Sequence, residues 1–416
     1  MTDPINGLSD LAIHLRDKLD PDRPKPKKFV LLFAYNGTGK TRLSGAFRDI
    51  GKQVDEDGQT IARDTLYFNA FTEDLFTWFN DFERDTHRVL QLNADSAFFQ
   101  GLGDLEMENR VGPLLERYTD LGFYIEYEGR EDRPGPRAPY VLFFRERDTE
   151  GNPIPLKASR GEENIFVWCF FLAIVRLVLD GDETYKWAKY IYIDDPVSSL
   201  DEHNAIVVAN HLVQLYREAE DVGVGTVIST HHQLFFNVLH YELKSHFNRP
   251  PQYTLSRDRR AEFEIAEKRA QAAAKGEPVS EEPIPELYHL IEQKGDTPSF
   301  HHVAALVELD KVARGGTIHT YHFNMLRAVL EKTALFHGYT HFGKCIKRDD
   351  DDADGILHQR FVDLMSHGKY SLFEPDEMGE ETRGYFRKIV RDFLERYPFN
   401  AALFPDVAIP TGDPTT

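Results

Sequence analysis

Short apolar runs recur through the first 255 residues, and each is followed by a stretch with helical spacing. Residues 29–33 read as a buried strand, followed by a glycine-rich turn and the helical pattern TRLSGAFRDIG. Residues 65–80 are aromatic and read as a strand leading into a loop. Residues 120–147 alternate like a hairpin around the Pro- and Gly-rich REDRPGPRAP. A helix over 162–180, a strand at 190–193, a helix over 202–218 and a strand at 226–229 complete the series. Strands alternating with helices predict an α/β core built on a mostly parallel sheet.

Beyond residue 255 the pattern changes. Residues 256–275 are charged and Ala-rich, the pattern of a solvated helix, and GEPVSEEPIPE reads as a Pro/Glu linker. From 299 to 397 the spacing is helical except at the acidic loop DDDDAD, residues 349–354. The expected division is an α/β domain over 1–255 with an insertion near 72–155, a charged helix and linker over 256–298, and an all-α domain over 299–416. The length of 416 residues suits two or three domains.

The formal charge of −20 excludes a polybasic nucleic-acid binder, because affinity for phosphate backbones comes from Lys and Arg. The acidity is uneven: residues 301–416 hold 14 basic and 18 acidic side chains, a net of −4, which leaves −16 for residues 1–300. Two cysteines, Cys169 and Cys345, cannot form a disulfide framework or a four-thiolate zinc site. The N-terminus lacks a signal pattern, and the apolar run 165–179 is short for a membrane span and broken by Arg176. The expectation is a cytoplasmic, soluble protein.

Residues 34–41 read AYNGTGKT. A phosphate-binding loop needs small residues so that backbone N–H groups can wrap the phosphates, a Lys for the β/γ oxygens, and a hydroxyl for Mg²⁺. Asn36, Gly37, Thr38, Gly39, Lys40 and Thr41 fit, with Ala34 at the first glycine position. Some 150 residues on, an apolar strand ends in Asp194 and Asp195. Asp194 is placed to hold Mg²⁺ and Asp195 to orient an attacking water. SRGEE places Ser159, Gly161 and Glu162 at the positive end of a helix, and ISTHH places His231 just past a strand.

In this order the motifs resemble those of ABC-type ATPase heads: Walker A, signature, Walker B, the D-loop with Asp201, then the switch histidine. The resemblance implies ATP or GTP with Mg²⁺, and head-to-tail pairing in which Ser159 of one copy meets the nucleotide of another. Arg160 stands where Gly is commoner and Asp195 where Glu is usual, which implies slow hydrolysis. For the Q-loop only Asn69, Thr72 or Glu73 offer themselves.

Arg327 and Glu331 lie i, i+4 on one helix face, as an ordinary ion pair also would. Downstream, His367 sits at a Gly-terminated helix end and His358 is a second candidate. Together Arg, Glu and His suit ribonuclease chemistry without a metal, since imidazole and carboxylate can move protons while guanidinium steadies a charged phosphorane. A P-loop head joined to this set resembles the PrrC-type anticodon nucleases, related to RloC. That resemblance implies a HEPN-like C-terminal domain and a tRNA substrate, a lysine tRNA cut next to the wobble base. It further implies antiphage defence and silencing by a type I restriction–modification complex, with no membrane role. The alternative is a defence ATPase of the same head class whose helical domain binds an effector. A DNA-repair ATPase normally needs coiled-coil arms that this sequence lacks.

Other features carry less. Asp350, Asp352 and Asp354 begin like a calcium loop, but Phe361 holds the position that needs a bidentate Glu. The His pairs 231–232 and 301–302 lack further ligands at zinc spacing. Arg257, Arg259, Arg260, Lys268 and Arg269 suit a solvated helix; Lys344, Lys347, Arg348 and Lys369 are better placed to meet RNA.

Overall fold

Period-two alternation in the strands puts alternate side chains on opposite faces, and the central sheet buries both. The computed structural model describes residues 5–58, 60–69, 76–80, 88–93, 105–127, 139–197, 200, 202–219, 223–247, 249–257, 259–275, 278, 284–292, 301–315, 318, 320–347, 362 and 380–399. Two compact units divide the chain, Met1–Pro298 and Ser299–Thr416.

In the first unit β1 (Ile5–Asn6) leads into α1 (Gly7–Leu19), then β2 (Phe29–Ala34) and α2 (Lys40–Ile50). A small pair, β3 (Gln53–Val54) and β4 (Thr60–Ala62), precedes β5 (Thr65–Asn69). The span 72–155 holds β6 (Phe76–Asn80), β7 (Arg88–Leu92), α3 (Met107–Leu115), β8 (Gly122–Glu126), β9 (Tyr140–Arg147) and β10 (Pro153–Leu156). There follow α4 (Arg160–Leu179), β11 (Tyr190–Asp194), α5 (Glu202–Glu218), β12 (Gly225–Thr230) and α6 (Gln233–His246). The unit ends with β13 (Gln252–Arg257), α7 (Arg259–Ala274) and β14 (Leu287–Glu292).

The main sheet runs β1-β14-β13-β2-β12-β11-β5. From β13 to β5 the pairing is parallel; β14 joins β13, and β1 joins β14, antiparallel. The expected parallel α/β core is present. Val30, Leu32, Tyr192 and Val227 pack on one face with Leu11, Leu15, Leu43 and Phe47 of α1 and α2. Leu31, Phe33, Ile191, Ile193 and Ile228 pack on the other with α4, α5 and α6. A second sheet of β6–β10 lies on the far side of α4. That position explains the apolar run: Phe166 meets Phe143 of the second sheet at 5.0 Å, while Phe171 meets Phe68 of the first at 4.6 Å. A helix apolar all round is a core helix when both sides are covered. No helix among the described residues is long and apolar enough to cross a membrane.

The structure departs from the sequence expectation in two places. Residues 287–292, read as part of a linker, form a strand of the main sheet, and residues 7–19, unassigned, form α1. The second unit is helical in its described parts: α8 (His301–Gly315), α9 (Thr320–Phe336) and α10 (Glu380–Arg396), with a short 3₁₀ turn at Phe342–Cys345. Leu306, Leu309, Phe323, Leu326, Leu330, Phe386 and Phe393 form its core. The acidic stretch 349–354 lies outside the described residues.

α1 is held by Arg16, which spans three elements. Its guanidinium meets both carboxylate oxygens of Asp64 at 2.8 and 2.9 Å and donates to the Phe47 carbonyl, between the rings of Phe47 and Tyr190. Gly51 is packed against this pair: a Cβ there would lie 1.7 Å from Asp64 Oδ1. The carboxylate is pinned and cannot give way. Gly51→Ala is therefore expected to destabilise the first unit by about 1–3 kcal/mol, the usual range for overpacking. A lowered thermal midpoint of the full chain would register this; an unchanged midpoint would mean that Asp64 is free to move.

Candidate functional site

Parallel register brings the strand ends level. Asp194 is paired with both Ser229 and Asn69, and Thr230 with Phe33, so β2, β12, β11 and β5 finish at one sheet edge. Ligands of open α/β sheets bind at such carboxyl edges.

The loop after β2 is shaped by glycine. Gly37 and Gly39 have φ of 78° and 106°, conformations that a side chain resists, and α2 begins at Lys40. Lys40 is 6% exposed, and its ammonium donates to the carbonyls of Ala34 (3.0 Å) and Tyr35 (3.4 Å) and to Asn36 Oδ1 (3.3 Å). Beneath the loop stands Tyr288 of β14, its hydroxyl 3.3 Å from where a Cβ on Gly39 would be. That hydroxyl donates to Glu286 Oε2 at 2.8 Å, and Glu286 pairs with Arg42 of α2 at 2.8 Å and Arg257 of β13 at 3.1 Å. This support was not legible in the sequence, because nothing in LYHLIE signals proximity to a loop 250 residues earlier. Arg257, read as part of a solvated basic face, is instead held by Glu262 and Glu286.

Asp194 is 1% exposed. Oδ1 accepts from Ser229 Oγ at 2.6 Å, while Oδ2 is buried without a hydrogen-bond partner. Burial pushes this carboxyl above its usual range and neighbouring Asp195 adds to the rise, against the pull of the Ser229 and Thr41 hydroxyls and Lys40. An orphaned buried carboxylate oxygen beside a threonine hydroxyl is a donor set for a hard cation. Thr41 and Asp194 thus fit Mg²⁺. Bound there with a nucleotide, the ion would neutralise phosphate charge.

Asp195 has φ of 55°, an unusual conformation for an aspartate and a mark of a functional turn. Oδ1 accepts from Thr230 Oγ1 (3.1 Å) and the His231 amide (3.2 Å). Oδ2 meets His231 Nδ1 at 2.5 Å and Lys40 Nζ at 3.7 Å. Asp195 therefore joins His231 and Lys40 in one cluster. Two hydroxyls, Ser229 and Thr230, end an otherwise apolar strand, and that was the signal available for their role. No group of three or more His, Cys, Asp or Glu side chains among the described residues forms another metal site.

Ser159 caps α4. Its hydroxyl accepts from the Glu162 amide, and the Glu162 carboxylate accepts from the Ser159 amide at 2.8 Å, a reciprocal capping box. Arg145 of β9 pairs with Glu162 and with Asp120 at 3.0 Å. Ser159, Gly161 and Glu162 thus sit on the second sheet's side of α4, with local partners. Asp201, and the Q-loop candidates Thr72 and Glu73, lie outside the described residues.

In the second unit, Arg327 Nε donates to Glu331 Oε1 at 2.7 Å on α9, with the guanidinium carbon 5.5 Å from the Phe342 ring centroid. The expected i, i+4 pair is formed. His367, His358, Arg348 and Lys369 lie outside the described residues.

The AAA domain family model matches residues 144–395, more than half of the chain. The chain belongs to the AAA domain family. The match takes in Ser159, Asp194, Asp195, His231 and the Arg327–Glu331 pair, while the glycine-rich loop 34–41 lies before it. The chain is also similar to the "Anticodon nuclease" of Escherichia coli, 29% identical over 368 residues that cover 83% of each chain. Among solved structures, it is similar to an SmcHead bound to the C-winged helix domain of ScpA, with a TM-score of 0.31 at 10% identity over 55% of this chain and 86% of that one. It is likewise similar to an SMC head domain from Thermotoga maritima, with a TM-score of 0.25 at 12% identity and the same coverage.

A sign follows for Asp194. Its raised folded-state pKa means that folding is penalised as pH rises from the unfolded carboxylate's value through the folded one, and the penalty stands in full at neutral pH. Asp194→Asn should therefore raise the thermal midpoint of nucleotide-free protein at pH 7 while abolishing the stabilisation given by Mg²⁺ and nucleotide together. A lowered midpoint without nucleotide, or retained Mg²⁺-nucleotide stabilisation, would contradict this assignment.

Proposed function

We propose that this AAA-family ATPase is a nucleotide-switched tRNA anticodon-loop endoribonuclease that acts in antiphage defence. The observation that carries the reading is the presence on one chain of a formed phosphate-loop site and the Arg327–Glu331 pair, in a protein similar over 83% of its length to a curated anticodon nuclease. The second unit is read as HEPN-like, the substrate as a lysine tRNA cut near the wobble base, and the nucleotide as ATP or GTP. Heads pair head-to-tail, with Ser159, Gly161, Glu162 and Asp201 of one copy at the nucleotide held by Lys40 and His231 of another. A type I restriction–modification complex is the proposed silencer.

The chemistry follows from the groups. The 2′-oxygen bonds to phosphorus as the phosphorus–5′-oxygen bond breaks, giving a 2′,3′-cyclic phosphate and a 5′-hydroxyl. His367, or in its place His358, moves a proton between the 2′-hydroxyl and the departing 5′-oxygen together with Glu331. Arg327 stabilises the phosphorane charge. The nucleophile is the substrate's own hydroxyl, so the reaction needs no metal. Asp195, bonded to His231, orients water at the nucleotide.

Purified protein incubated with total tRNA and ATP or GTP, followed by mapping of RNA ends, tests the reading. Discrete anticodon-loop ends are expected to persist in EDTA once nucleotide is bound, and to fall at least a hundredfold in Arg327→Ala and His367→Ala. Intact tRNA in every nucleotide state would favour the effector-binding ATPase instead.

A further inference from the structure

The second unit carries exposed rings along one end of α9, with the core residue Phe342 buried beneath them. Among its described residues, the exposed large apolar side chains are Leu335, Phe336 and Tyr339, all at one end of α9, with Leu335 and Phe336 79% and 87% exposed. The chain turns at Gly338 and runs back along α9, which brings Phe342 under Arg327. His341, exposed, stacks on Phe342 with centroids 4.8 Å apart and planes at 27°. His337 stacks on Tyr339 at 5.9 Å and 20°, and Phe336 stands edge-on to His337 at 5.5 Å. Lys332, Lys344 and Lys347 are exposed among these rings.

Two classes of partner could cover such a surface, and charge separates them. A second copy would bring its own Lys332, Lys344 and Lys347 against these, and like charges brought together oppose association. An RNA strand meets them with phosphates. Unpaired bases offer π faces whatever their sequence, and proteins seat them on aromatic and imidazole rings flanked by cations. Position points the same way. Arg327, Glu331 and Leu335 follow at i, i+4, i+8 along α9, a span of about 12 Å at 1.5 Å per residue, so the ring array runs along the pair assigned to cleavage. Lys344 and Lys347 share a cavity with Asp392, Glu395 and Arg396, so the exposed lysines supply local phosphate contacts beside the rings rather than a broad basic field.

We propose that Phe336 and His341, the latter backed by the buried ring of Phe342, are stacking platforms that seat unpaired RNA bases beside Arg327 and Glu331. The inference rests on the nuclease reading and deepens it: substrate is selected by unstacked bases, held by rings, with the lysines on the backbone.

Full-length protein carrying Glu331→Gln, titrated into a short hairpin RNA with 2-aminopurine in its unpaired loop, reports stacking by fluorescence quenching. Phe336→Ala and His341→Ala in that background are each expected to weaken binding about tenfold or more, whereas Phe336→Trp and His341→Tyr keep it. In the cleavage-competent protein the same alanine changes should raise KM for tRNA more than they lower kcat. Affinity unchanged in both alanine variants, with wild-type protein still cutting tRNA, would overturn the stacking platforms and leave the nuclease intact. If Phe336→Ala instead converts an oligomer to a monomer with RNA affinity unchanged, the face belongs to self-association and the proposal fails. Wild-type protein that neither quenches the probe nor cuts tRNA in any nucleotide state would overturn the reading beneath it.

Discussion

One carboxylate oxygen, Oδ2 of Asp194, sits buried with no hydrogen-bond donor, at the point where four parallel strands end together. A buried unpaired charge is costly, and a chain keeps one where something else supplies the countercharge. The surrounding architecture serves to hold that oxygen still. β11 is flanked on both sides by parallel strands, Ser229 takes the other oxygen, and the Thr41 hydroxyl pulls against the rise in its pKa. The next residue takes a left-handed turn that gives its own carboxylate to His231 and Lys40. Adjacent acids thus face different partners, Asp194 the Ser229 hydroxyl and Asp195 the His231 imidazole and Lys40 ammonium.

The sheet edge is also tied to the end of the first unit. β14, the last strand before that unit closes, places Tyr288 under Gly39 and, through Glu286, grips Arg42 one turn into α2. The phosphate loop is thus braced from below by a strand about 250 residues later.

How much of this was legible depends on how local each signal is. β2, β11 and β12 announce themselves as short apolar runs, and Lys40, Asp194, Asp195 and His231 follow at their ends, so the nucleotide cluster could be read without coordinates. The capping box at Ser159 was likewise local. What escaped depends on contacts distant in sequence. α1 is only weakly patterned, and its place is fixed by Arg16 reaching Asp64. β14 is six residues long and lies just after a Pro/Glu stretch, so composition made it look like linker. The ring array on α9 escaped for a different reason. Helical spacing marks which residues are buried, and nothing in that spacing says that Leu335 and Phe336 stay in solvent.

We propose that nucleotide held by the first unit governs RNA cleavage by the second. The most direct test is the rate at which cleaved tRNA ends appear with ATP, with GTP and without nucleotide, in wild-type protein and in Lys40→Ala. The expected rate changes with nucleotide in the wild type and becomes indifferent to it in the variant, whose second unit stays folded. Cleavage that responds identically to nucleotide in both proteins would contradict the proposal.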